Sequence, residues 1–79
     1  MNILERVIHL IATSLEIPEE RITVDTDIMN DLDADSLDLV ELALTIEEDF
    51  QVEMDDDVVA HLRTVGDVVA ELERLEDNQ

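Results

Sequence analysis

Residues 35 to 50 read DSLDLVELALTIEEDF, and the spacing of the apolar side chains in this run decides which kind of fold it can join. At ~100° per residue, Leu39, Leu42, Ala43, Ile46 and Phe50 fall within an arc about 100° wide, the width of a core-facing helical stripe. Asp35 offers a capping oxygen and Asp38 occupies the third helical position, so the spacing predicts a helix that starts at Ser36 and ends near Gln51. A second apolar set, Leu37, Val40 and Leu44, is centred ~130° away, with Glu47 on one flank and Glu41 and Glu48 on the other. A small bundle needs only one such stripe. The second set is either covered by a folded loop or left as an exposed anchor strip rimmed with acid, suited to a basic protein with an apolar notch.

Working outward, Asn2 and Glu5 have capping-box spacing, and Leu4, Val7, Ile8, Ile11 and Leu15 recur at helical intervals, which predicts a first helix from about residue 3 to 15. Ile17 precedes Pro18 and is biased out of the helical region, so the chain leaves the helix there. Residues 16 to 35 show no sustained period, but Ile22, Val24, Ile28 and Leu32 are spaced as if to dock on a core. So long a loop in so small a domain is usually functional. Asp55, Asp56 and Asp57 favour a helix start through the dipole, and Val58, Val59 and Leu62 predict a short third helix. Thr64 and Asp67 repeat the cap pattern before the stripe Val65, Val68, Val69, Leu72 and Leu75 of a last helix, whose first turn Gly66 weakens. The expected fold is all-α: a small four-helix bundle, three longer helices plus a short third, with a long loop between helices one and two.

With 79 residues the chain makes one domain with a thin core, too small for a roomy enzymatic cleft. The absence of Cys, Trp and Tyr excludes disulfides, thiolate metal sites, cysteine catalysis and an aromatic stacking platform for single-stranded nucleic acid. A formal charge of -19 repels nucleic acid and anionic membranes, so the expected partners are basic protein faces. No apolar run approaches a membrane span, and Glu5, Arg6 and His9 interrupt the opening segment, so a signal peptide is not expected. We read a soluble, cytoplasmic monomer.

Ser36 is the one hydroxyl in the acidic run 31 to 42. An ion-binding loop begun at Asp31 fails at its sixth position, Ser36 where Gly is needed, and at its twelfth, Leu42 where a bidentate Glu is needed, so no specific metal site is expected. Hydrolytic catalysis needs a base beside the serine, and His9 and His61 belong to other predicted helices. As a helix cap, Ser36 is inferior to Asp35, whose partner Asp38 is polar where that of Ser36 would be Leu39. This leaves Ser36 in the first helical turn with its hydroxyl facing solvent, where an esterified phosphate would meet the positive helix end.

Asp35-Ser36-Leu37, followed by Asp38, Val40, Glu41 and Leu42, resembles the attachment motif of acyl carrier proteins, most closely the free-standing bacterial fatty acid synthesis type. The resemblance runs from about residue 3 to 75: Leu4-Glu5-Arg6-Val7, the long loop, Leu32 ahead of the motif, Glu47-Glu48 with Phe50, and Thr64-Val65 opening the last helix. It implies a non-catalytic carrier, one acyl-carrier domain over residues 1–79, with a 4'-phosphopantetheine arm from coenzyme A placed on Ser36 by a phosphopantetheinyl transferase and with acyl groups held as thioesters. It also implies docking on basic patches of acyl-processing enzymes through Asp35, Leu37, Asp38, Val40, Glu41, Leu44, Glu47 and Glu48, with Asp56 joining from the third helix. By helical periodicity alone Leu37, Val40, Leu44, Glu41, Glu47 and Glu48 lie on or beside one strip. Asp33 stands where many relatives have Gly, which stiffens the turn before the motif, and Leu39 stands where relatives often have Thr or Ser, which changes the acyl pocket. Two rivals remain: a specialised carrier for a polyketide or other lipid acyl group, and an acidic adaptor or nucleic-acid mimic without a prosthetic group.

Overall fold

Asn2 starts the first helix, α1 (Ile3–Leu15), by accepting the Glu5 N–H at 2.8 Å, and the predicted stripe buries Val7 and Ile11 completely. Its end is sharp because Glu16 turns left-handed (φ 57°) and the N–H groups of Glu16 and Ile17 both return to the Ala12 carbonyl. The computed structural model describes residues 2–77, so Asn78 and Gln79 of the polar tail lie outside the described residues. The remaining helices are α2 (Ile28–Asp31), α3 (Ser36–Phe50), α4 (Asp56–His61) and α5 (Val65–Asp77). The three long helices and the short third one expected from periodicity are therefore α1, α3, α5 and α4. No strand occurs among the described residues; one isolated bridge pairs Asp27 with Thr64.

The long loop is more ordered than its lack of period suggests. It holds a 3₁₀ turn, Glu19–Arg21, and the single turn α2, capped by Asp27, whose side chain accepts from Met29 and Asn30 N–H groups while Asp31 accepts from Asp27 N–H. Ile22 and Ile28 dock on the core as expected, and Leu32 is half-buried, but Val24 is 44% exposed. Val24 acts through its backbone instead. Its carbonyl accepts the Gly66 N–H at 2.8 Å and the Thr26 carbonyl accepts the Val65 N–H at 3.0 Å, so the loop satisfies two of the donors that the start of α5 would otherwise leave unpaired. Thr64 and Asp67 complete that start: Thr64 Oγ1 accepts from Asp67 N–H, and Asp67 accepts from Thr64 and Arg63 N–H groups, each at 3.1 Å. These donors, Thr64 first and then Arg63, hold the Asp67 carboxyl below its ordinary pKa.

Gly66 is in α5 because of this staple. A Cβ there would stand 3.2 Å from both the Val24 carbonyl oxygen and its Cγ2. A β-branched side chain at this point must push the loop off the helix, so Gly66→Val is expected to destabilise the fold by about 2 kcal/mol, the ordinary cost of overpacking. Chemical denaturation measures it; an unchanged midpoint would mean the loop yields freely.

One core joins the helices, centred on Val7, Ile11, Ile28, Leu42, Ile46, Val65, Val68 and Leu72. Arg6 locks α1 to the end of α3: its guanidinium pairs with the Asp49 carboxylate at 2.7 Å, donates to the Asp49 carbonyl, and lies 4.1 Å from the centre of the Phe50 ring. The long axis of α3 is thereby fixed at its far end, opposite Ser36.

Candidate functional site

Ser36 is the first residue of α3 and is exposed. Asp35 and Asp38 form a complete capping box: Asp35 Oδ1 accepts from Asp38 N–H at 2.9 Å and Asp38 Oδ2 accepts from Asp35 N–H at 3.3 Å. The cap is thus made without Ser36, and its hydroxyl is left outside. Upstream, Asp33 sits in the left-handed region (φ 56°) between half-buried Leu32 and buried Ala34. Left-handed backbone costs most residues with a Cβ roughly 1–2 kcal/mol, which is why Gly suits this turn; Asp is one of the few others that adopt it as a single residue.

Beside Ser36 opens a groove of about 510 Å³. Leu39 and Ala43 of α3 form one wall, Val59 and Ala60 of α4 the other, and Met29 of α2 contributes from the loop. Sequence reasoning missed Met29; the Asp27 cap ahead of Ile28 and Met29 was the available signal. The volume falls within the usual range of small-molecule sites, and the lining is mainly apolar. Leu39, at 7% exposure, belongs both to the core stripe and to the groove.

The second apolar set is not covered. Leu37 is 65% exposed, Val40 49% and Leu44 55%. The exposed-strip alternative is the one the fold realises, and because Val40 and Leu44 also line the groove, strip and groove are continuous. Glu41 and Glu48 are exposed at its rim, and Asp56 stands across the groove at the start of α4. Asp38 is half-buried by its capping role. Glu47 differs from the other rim acids: it is half-buried, and Oε2 accepts the Met54 N–H at 2.9 Å.

Neither histidine pairs with Ser36. His9 Nδ1 meets Glu19 at 3.2 Å, and His61 Nδ1 meets the Asp57 carbonyl at 2.6 Å. Among the described residues no group of three or more His, Asp and Glu side chains is arranged to hold a metal ion.

An exposed serine hydroxyl at a capped helix start, next to an apolar groove, is a place to attach a group and shelter what it carries. A family model for the phosphopantetheine attachment site matches residues 5–72. The chain belongs to this family. A curated acyl carrier protein from Lactobacillus acidophilus is 44% identical over 69 residues, 87% of this chain and 86% of the relative. A carrier role and a covalently bound 4'-phosphopantetheine follow from membership, and with them a phosphopantetheinyl transferase and acyl-processing enzymes as partners. The adaptor reading, which requires no prosthetic group, has no support.

The residues present fit the group. The N–H groups of Ser36 and Leu37, the first two of α3, have no intrahelical acceptor, and with the positive end of the helix they would favour a phosphate ester bound at this end. Asp35 and Asp38 stand close by, but each has an oxygen committed to a backbone N–H, which draws their charge into the cap.

Proposed function

We propose that Ser36 is the attachment point of the 4'-phosphopantetheine arm and that the chain, itself non-catalytic, holds acyl intermediates as thioesters and passes them between the enzymes of fatty acid synthesis. When bound, the arm supplies the thiol that the sequence lacks. The observation that carries the reading is the groove that opens at Ser36 between α3 and α4. Leu39, Ala43 and Val59 make it apolar, so it shelters a saturated chain from water and from unintended acceptors. Leu37, Val40 and Leu44 are the anchors for partner enzymes. Asp35, Asp38, Glu41, Glu48 and Asp56 supply the negative potential that a basic docking patch requires, and Glu47, half-buried and bonded to Met54 N–H, adds less to it.

The charge of -19 supports a monomer, because two copies repel one another. Among the described residues no helix is long and apolar enough to cross a membrane. Residues 1–79 form one acyl-carrier domain in this proposal, working in the cytoplasm, where coenzyme A is the donor of the arm.

The test is a series of acylated proteins. Each buried methylene contributes about 0.8 kcal/mol, so the melting temperature is expected to climb with chain length and level off once the groove is full. Leu39→Thr, which trims the wall, should move the plateau to longer chains. Equal melting for short and long acyl forms would exclude the groove as the cargo site. Supplying the loaded protein to purified condensing enzymes of fatty acid synthesis separates the pathways: elongation is the expected result, and refusal would assign the chain to the specialised carriers.

A further inference from the structure

We propose that Glu47 is a positioning residue: it holds the α3–α4 connection, and so the far wall of the groove, by accepting hydrogen bonds, and it acts through that geometry more than through its charge. The reading of the groove as the cargo site is assumed.

Three N–H groups of the connection return to this one residue. Gln51, which is left-handed at φ 57°, and Val52 both donate to the Glu47 carbonyl, the bonds that end α3. Two residues later, Met54 N–H donates to the Glu47 carboxylate at 2.9 Å. Met54 is a buried residue and the bond is partly buried, so removing the carboxylate takes away the acceptor its N–H has in the fold. The start of α4 follows at Asp56, and its N-cap Asp55 makes no side-chain capping bond. The entry to α4 therefore depends on where Met54 is held. The far end of α4 is held separately, by buried Leu62 and by the Arg63 carbonyl that accepts from Ile28 N–H, and Val58 and Val59 pack partly on the core, so the Glu47–Met54 bond sets the entry end of the helix. Glu47 itself lines the groove with Asp56 and Val59, so the bond spans the rim it organises.

Glutamine separates the two roles, because it keeps a carbonyl acceptor and removes the charge, whereas alanine removes both. Amide hydrogen exchange on the unmodified protein reads the bond without reference to cargo. Glu47→Ala is expected to speed exchange at Met54 by about tenfold or more, the effect of removing the acceptor of a partly buried donor, with the amides at the start of α4 following. Glu47→Gln should stay within a few-fold of the parent. In the acyl series, Glu47→Ala should lose most of the melting gain that a long chain gives, and Glu47→Gln should keep it. Alanine and glutamine behaving alike would overturn the proposal, as would an acceleration at Ile11 of α1 equal to that at Met54, which marks a global loss of stability. A parent protein that gains nothing from acylation would instead remove the cargo reading and leave the exchange result standing.

Discussion

Ser36→Ala is expected to accept no phosphopantetheine at all when incubated with coenzyme A and a phosphopantetheinyl transferase, while the unsubstituted protein gains one arm. The loss is complete because the substitution deletes the oxygen that forms the phosphodiester. The fold should not change. Asp35 and Asp38 carry the helix cap between themselves, and alanine is at least as good as serine within a helical turn, so stability should shift by less than about 0.5 kcal/mol. Ser14, the other serine, is exposed on α1 and serves as the control. Ser14→Ala should be modified like the parent. Intact mass reads all three proteins; an arm on Ser36→Ala, or none on Ser14→Ala, would falsify the assignment of the site.

Much of this site was legible because its signals are local. The reciprocal spacing of Asp35 and Asp38 fixes the start of α3 within the sequence itself, and the start fixes which residue is left with a free hydroxyl. The two stripes of α3 follow from the same 3.6-residue period. What the period could not say was whether anything covers Leu37, Val40 and Leu44, since cover is a matter of where a distant loop goes. That loop is held by carbonyls of Val24 and Thr26 on N–H groups of Gly66 and Val65, and backbone bonds leave no mark on side-chain pattern. Val24 shows the consequence: an apolar residue in a loop read as a core anchor, when its oxygen does the anchoring. Glu47 is the same lesson on a helix. From its place on the wheel it is another rim acid, and only the return of Met54 N–H across seven residues distinguishes it. The Asp27 cap was visible in principle, but one turn of helix buries too few side chains to produce a period.

The second large effect expected concerns docking. Net charge and local charge act over different distances, and salt separates them. The molecule measures 32 × 27 × 20 Å, so at ~0.01 M salt, where the Debye length is about 30 Å, a basic partner senses nearly all of the -19 charge wherever it sits. Near 0.15 M the length falls to about 8 Å, and only charges close to the contact still count. Glu48 is at the rim of the exposed strip, whereas Glu73 lies with Ile3 and Val69 on the surface between α1 and α5. At low salt Glu48→Lys and Glu73→Lys should both slow association with the transferase. At 0.15 M Glu73→Lys should recover the parent rate, while Glu48→Lys should remain slower by about tenfold, an effect of the size that steering charges produce. Near 1 M both should approach the parent. Stopped-flow association at the three salt concentrations measures this. Rates for the two variants that coincide at 0.15 M would mean that no particular face is recognised, and a Glu48→Lys deficit that persists near 1 M would mean that the side chain makes a short-range contact instead of steering.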